Sequence, residues 1–308
     1  AEQFFFPRKA ITLAENTLVS WRRCFNLRIA PRIGFIPIGE ISPIILSDFM
    51  LNCQAEGLAT SSVMVYYTIL RSIFRTATKF DIISTNPMDK VDRPANRKNE
   101  MIPSSVPTFS AEEIANIESV LAREPTKWKA LTSILIDTGI RVGECCGIKW
   151  EDIDFRNRTI TISRSVGYTP GKGVYETTPK NRRSRTISIS LDIIDMLFVL
   201  YISNLATYNS EYVFCQRRSA KPMSPQTPGA YLRKLGRRAG IDHLHPHKLR
   251  HSFASVAITN GADVASVSEI LGHHDKAFTL QTYTTSNSDA MLCASEVRRI
   301  AVMNYYHP

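Results

Sequence analysis

Up to Pro94 the apolar positions recur at helical spacing. They predict helices over Thr17–Leu27, Ser42–Glu56 and Ala59–Lys79, the last with Val63, Tyr67, Leu70 and Phe74 on one face. Pro31, Gly34, Pro37 and Gly39 predict turns between the first two, and Asn86-Pro87 predicts a stop after the third. From Val91 to Pro107 the text turns polar, with Pro94, Pro103 and Pro107 around Arg93, Arg97 and Lys98, as in an exposed linker. Helical spacing returns at the capping box Ser110-Ala-Glu-Glu113, which opens a helix carrying Ile114, Ile117 and Leu121. Another helix runs from Trp128 to Thr138 and ends at Gly139.

The period then drops to two. Arg158–Arg164 and Arg185–Ser190 alternate β-branched with polar residues and predict half-buried strands, with Gly167–Arg183 between them as a basic hairpin or loop. Helices resume at Leu191, near Pro225 and at Pro246; Asp263–Leu271 is one more, closed by Gly272, and Ser288–Met303 is a last amphipathic stretch. The expected class is mainly α with a small antiparallel β-sheet in the second part (α+β). The division is a helical unit over 1–94, a linker over 95–108 and a second unit over 109–308. No internal repeat and no low-complexity segment interrupts it.

Composition sharpens this picture. With 308 residues, 44% hydrophobic and 21% charged, the chain is long enough for two ordinary cores and is not disordered by composition. Lys and Arg (38) exceed Asp and Glu (28) for a net charge of +10, which points to a polyanionic partner without naming it. No uninterrupted apolar run approaches the ~18 residues of a membrane span. The richest stretch, Ile193–Ile202, is broken by Asp195. The opening Ala-Glu-Gln-Phe-Phe-Phe-Pro-Arg lacks the order of a secretory signal and an initiating Met, so the chain reads as processed or as a fragment. Six cysteines (Cys24, Cys53, Cys145, Cys146, Cys215, Cys293) show no C-x-x-C spacing; neither a zinc knuckle nor a disulfide framework is expected, and a reducing cytoplasm is.

Four segments carry candidate chemistry. Thr138-Gly-Ile-Arg141-Val-Gly-Glu144 sets an arginine just past a helix end, with Glu144 placed to orient it if a helix starts there. Taken singly, the pair also reads as a plain surface ion pair worth ~0–1 kcal/mol. His245-Pro246-His247-Lys-Leu-Arg250-His251 starts a helix at its proline, with Leu249, Phe253, Val256 and Ala257 as the buried stripe. His247 and Arg250 share the adjoining face, which either meets an anion or is simply a basic solvated face. Gly272 throws His273 out of its helix into a loop, and Tyr283 follows ten residues later on a short segment, where packing is the commoner fate of a tyrosine.

The ordered set Arg141, Lys180, His247-x-x-Arg250, Leu-Gly-His273 and Tyr283 resembles the tyrosine recombinase family, the phage and conjugative-transposon integrases. The resemblance covers nearly the whole chain. The first unit resembles the family's core-binding, DNA-binding domain and the second its catalytic domain, which implies a two-domain clamp on duplex DNA. Lys180 matches the hairpin lysine because it stands five residues before Arg185; Lys172, Arg182 and Arg183 are nearby competitors. The chain departs in a His273-to-Tyr283 gap one residue longer than in many members and in a doubled histidine at His274. The N-terminal arm-binding domain of many integrases has no counterpart in this sequence.

The resemblance implies Tyr283 as nucleophile, Arg141, Arg250 and His273 on the phosphate, and Glu144 in support. It also implies no metal or other cofactor, a homo-oligomer, tetrameric at synapsis, with exchange of a C-terminal helix, and accessory DNA-bending proteins. Elementary chemistry asks for the same groups. Transesterification needs a nucleophile, donors for the non-bridging oxygens and a proton for the departing 5′ oxygen. Arg141 and Arg250 can each fork two N–H groups onto phosphate, His247 can take the tyrosine proton, and Lys180 can protonate the leaving oxygen.

Other classes remain open on the residues alone. Six of the seven histidines (His243, His245, His247, His251, His273 and His274) lie close in sequence, and His273-His-Asp275 suits a divalent ion in a metal-dependent hydrolase; Lys248 and Arg250 oppose it. A non-catalytic DNA-binding regulator fits the charge but not the ordered series. A type IB topoisomerase shares the chemistry, and only exchange between two sites separates it from a recombinase.

Overall fold

The computed structural model describes residues 1–95, 108–179, 183–207, 209–216 and 219–272. The chain divides into two compact units, residues 1–102 and 103–308.

In the first unit α1 (Phe5–Lys9), α2 (Glu15–Cys24), α3 (Ala30–Ile33), α4 (Pro43–Ala55) and α5 (Thr60–Lys79) enclose a core that includes Phe6, Leu46, Phe49, Val63, Tyr67, Leu70 and Phe74. Ser42 caps α4 by accepting a hydrogen bond from the Ile45 amide (3.4 Å), and Pro43 takes the first helical position. Two expectations need correction. Helical structure does not stop before Pro31: a π turn over Phe25–Ile29 lets the chain run on, and Pro31 falls in the first turn of α3, where a missing N–H costs nothing. The polar stretch is also not exposed from its start. Val91 is buried in this core, and its carbonyl accepts from the Tyr67 hydroxyl (3.4 Å).

The second unit begins at buried Phe109 and the capping box of α6 (Ala111–Leu121), in which Ser110 and Glu113 bond reciprocally. α7 (Thr126–Thr138) supplies the centre of the core through Ala130, Leu131, Ile134 and Leu135. The short α8 (Val142–Cys146) follows, then five strands: β1 (Ile153–Asp154), β2 (Thr159–Ile162), β3 (Ser165–Thr169), β4 (Gly173–Thr177) and β5 (Arg185–Ser188). They form two antiparallel sheets where one was expected, β1-β2-β5 and the hairpin β3-β4. Register Ile160↔Ile187 and Ile162↔Arg185 turns these four side chains to one face, and all are buried. α9 (Leu191–Thr207), α10 (Gln226–Arg238), α11 (Pro246–Thr259) and α12 (Val264–Leu271) complete the unit. Among the described residues no helix is long and apolar enough to cross a membrane.

Candidate active site

Three chain breaks between elements build the site. α7 ends at Gly139, whose left-handed backbone (φ 59°) turns the chain sharply into Ile140-Arg141. A Cβ on Gly139 would stand 2.7 Å from the Phe253 ring and 2.9 Å from the Leu271 side chain, so this turn is packed directly on α11 and α12. Arg141 is the N-cap of α8, and the Glu144 carboxylate reaches back to accept from the Arg141 amide (3.0 Å) and from its Nη1 (3.1 Å). α11 starts at Pro246 with His245 as N-cap, its Nδ1 accepting from the Lys248 amide (3.1 Å). α12 ends at Gly272, again left-handed (φ 64°).

These ends meet. Arg250 donates from Nη1 to the Gly139 carbonyl (2.9 Å) and from Nη2 to that of Leu271 (2.8 Å). Arg141 donates from Nη1 to Leu271 (3.4 Å) and from Nη2 to the Gly272 carbonyl (3.3 Å). Arg185, at the start of β5, donates from Nε to the Ile270 carbonyl (2.6 Å) and from Nη2 and Nη1 to Glu144 (2.6 and 3.4 Å). Three guanidinium groups from three elements therefore gather at the C-terminal carbonyls of α12, where the helix dipole favours positive charge.

Neither bland reading of these arginines holds. Arg141–Glu144 is not a surface pair, because the Glu144 side chain is wholly buried while Arg141 keeps 30% of its own exposed. Arg250 is buried rather than on a solvated face: Nη1 and Nη2 each give a hydrogen bond to the backbone, and the side chain also lines a cleft. The expected stripe of α11 also changes: Val256 is exposed, and the second half of the helix packs on α12 through Ala254, Ala257 and Ile258.

Arg141, His247 and Arg250 line one cleft of about 760 Å³, together with His245, Gln226 and Arg233. Burial lowers the His247 pKa, and Arg250, His245 and Arg141 lower it further, so its imidazole is neutral at pH 7 and able to accept a proton. His251 meets it edge to face at 4.3 Å and is pushed down to about 4, first by burial and then by His247 and Arg250. Glu144 stays below its usual range: burial pushes it up, but hydrogen bonds and charge from Arg185, then Arg141, outweigh that. Among the described residues no three His, Cys, Asp or Glu side chains are grouped to hold a metal ion. Lys180, His273, Tyr283 and the stretch Ser288–Met303 lie outside the described residues.

Arg185 is the site residue that the motifs pass over. Its signal lies in the period of β5: Arg185 alternates with Thr186 and shares the inward face with Ile187, and an arginine on a buried face requires a partner.

Known proteins agree with this architecture. Residues 107–289 match the phage integrase family and residues 9–93 the phage integrase SAM-like domain. A tyrosine recombinase XerA of Thermococcus onnurineus is 29% identical over 266 residues, covering 85% of this chain and 84% of that protein. Among solved structures, the Tn1549 transposon integrase in complex with a circular intermediate DNA superposes with a TM-score of 0.77 at 22% identity, covering 95% of this chain and 96% of that one. A lambda integrase dimer bound to a COC′ core site gives 0.65 at 17% identity, covering 92% and 93%. The structures share the fold, and the family match spans more than half of the sequence: the chain belongs to the phage integrase family, the tyrosine-type site-specific DNA recombinases.

Proposed function

We propose that the chain cuts and rejoins duplex DNA at the ends of a mobile element through a 3′-phosphotyrosine on Tyr283. The observation that carries this reading is the cleft in which Arg141, neutral His247 and Arg250 face one another with their elements locked by backbone contacts. The N–H groups that Arg141 and Arg250 do not give to Glu144 or to the backbone carbonyls stabilise the charge that grows on the non-bridging oxygens as the tyrosine attacks, and His273 adds another donor. His247 takes the phenolic proton, which an unperturbed pKa near ~10 otherwise retains at neutral pH. Lys180 protonates the departing 5′ oxygen. The phosphotyrosine bond conserves the energy of the broken strand, so the free 5′ hydroxyl of another strand reseals it without nucleotide or metal.

The basic balance of the chain and the DNA-bound state of the Tn1549 and lambda integrase structures support duplex DNA as the partner. We place residues 1–94 and 109–308 on that DNA as core-binding and catalytic domains, acting as a homo-oligomer in a cytoplasmic setting. Exchange of the 288–303 segment between protomers would couple cleavage to assembly.

The test is single-turnover cleavage of a nicked suicide duplex followed by mapping of the attached residue. Attachment at Tyr283 and none in Tyr283→Phe, with DNA binding kept, is expected; attachment at Tyr305 overturns the assignment. A duplex with sulfur at the bridging 5′ position isolates Lys180, because a thiolate leaves without a proton. Lys180→Ala should be slowed ~10²–10⁴-fold on ordinary DNA and recover on sulfur. Rescue of Lys172→Ala instead would move the general acid to that residue.

A further inference from the structure

Glu144 does not belong to Arg141 alone. Its Oε1 accepts from Nη1 of Arg141 (3.1 Å) and of Arg185 (3.4 Å), and its Oε2 accepts from the Arg141 amide (3.0 Å) and Arg185 Nη2 (2.6 Å). The carboxylate is wholly buried and Arg185 almost so, whereas Arg141 reaches the cleft. In charge terms the trio carries two cations and one anion. A lone Arg141–Glu144 pair would be neutral toward an approaching phosphate; the trio keeps a net positive charge, and the exposed member presents it.

Arg185 also fixes where that charge points. Its Nε holds the Ile270 carbonyl at 2.6 Å, directly before the Leu271 and Gly272 carbonyls that receive Arg141. Both ends of the Arg141 guanidinium, the carboxylate and the helix terminus, are thus tied to Arg185, whose donors are committed to them.

We propose that Arg185 is a positioning residue for DNA cleavage, acting through Glu144 to keep Arg141 oriented and net positive toward the scissile phosphate. The proposal rests on the assignment of Arg141 to that phosphate. Among the described residues the ionisable groups facing Glu144 are Arg141, Arg185 and, on its own helix, the buried Cys145 thiol, which burial holds neutral. Without Arg185 the carboxyl loses its strongest stabilising partner and titrates at higher pH; once protonated, it no longer holds Arg141 as an ion pair.

The experiment measures single-turnover adduct formation on the nicked suicide duplex from pH 5 to 9, at a temperature where each variant is shown folded by its unfolding curve. Arg185→Gln is expected to slow adduct formation about 10–100-fold at pH 7, with the acid limb of the profile displaced to higher pH. Arg185→Lys, which keeps the charge but not the fork, should lose about 3–10-fold with a smaller displacement. The double variant Arg185→Gln/Glu144→Gln, with neither charge, should lose the displaced limb. A merely structural role predicts a uniform slowing with the limb unmoved, and that result, or wild-type behaviour, overturns the proposal. If Arg185→Gln does not fold, Arg185→Lys decides by the same two readings. Arg141→Ala is run in parallel. If it forms adduct at the wild-type rate, the site assignment itself fails; if it is inactive while the Arg185 variants behave as wild type, only the role of Arg185 falls.

Discussion

Two arginine pairs of the first unit and one of the second stand in opposite settings. In the first, two pairs sit in water: Arg22–Glu2 (3.1 Å) and Arg71–Asp89 (3.9 Å) leave about half of each side chain exposed. In the second, Arg185–Glu144 (2.6 Å) is nearly closed to solvent. Exposed pairs are weak and screened by salt, while a buried carboxylate that loses a partner is costly. The cations of the two exposed pairs therefore remain in water, whereas Arg185 is held in place at short range by Glu144.

Substitutions that exchange these roles sharpen the contrast. Of these the largest effect on activity is expected from Arg250→Ala, which removes a proposed phosphate donor and leaves the Gly139 and Leu271 carbonyls without that partner. Adduct formation should fall about 10²–10³-fold, read in single turnover, and sulfur at the bridging position should not restore it. A loss shared equally by DNA binding would place Arg250 among the long-range charges instead. Next comes Gly139→Ala, which forces a side chain into left-handed backbone and against Phe253. A destabilisation of about 1–3 kcal/mol in urea unfolding is expected.

Acid supplies a third test. The folded state holds His251 near 4 against an ordinary value of 6.5, so between those values the unfolded chain binds more protons and stability falls as pH falls. His251→Gln should flatten the loss between pH 7 and 5 by roughly 1–2 kcal/mol, measured by denaturant titration at both. A variant as acid-sensitive as the wild type would trace the slope to other groups. The smallest effect belongs to the first unit. Arg71→Ala should change stability by less than about 0.5 kcal/mol. It should also reduce the salt slope of DNA affinity by about one ion if Arg71 meets a phosphate.

The same division explains what could be read in the sequence. Apolar spacing placed α4 and α5 to within a few residues, and capping residues helped to place α6, α7 and α12, because both are local properties of the chain. Arg141, His247 and Arg250 were legible as members of an ordered set. Their surroundings were not: the burial of Glu144 and its second arginine arise from contact across 41 positions of sequence, and the alternation of β5 puts Arg185 on the face of Ile187 without saying which residue pairs with it. Pro31 misled for a related reason, since a π turn upstream decides whether a proline ends a helix or starts one.

The acceptors that hold Arg141, Arg185 and Arg250 are in part peptide carbonyls, those of Gly139, Ile270, Leu271 and Gly272. Side-chain replacement leaves a carbonyl in place, so saturation mutagenesis should find Ile270 tolerant of apolar exchange although its main chain anchors a cation. The sensitive positions in such a map should be the two glycines, where a new side chain alters the path of the backbone itself. Among residues that offer no reactive group, inactivating alleles should thus cluster at Gly139 and Gly272, and a search for chemistry by residue type would pass over them.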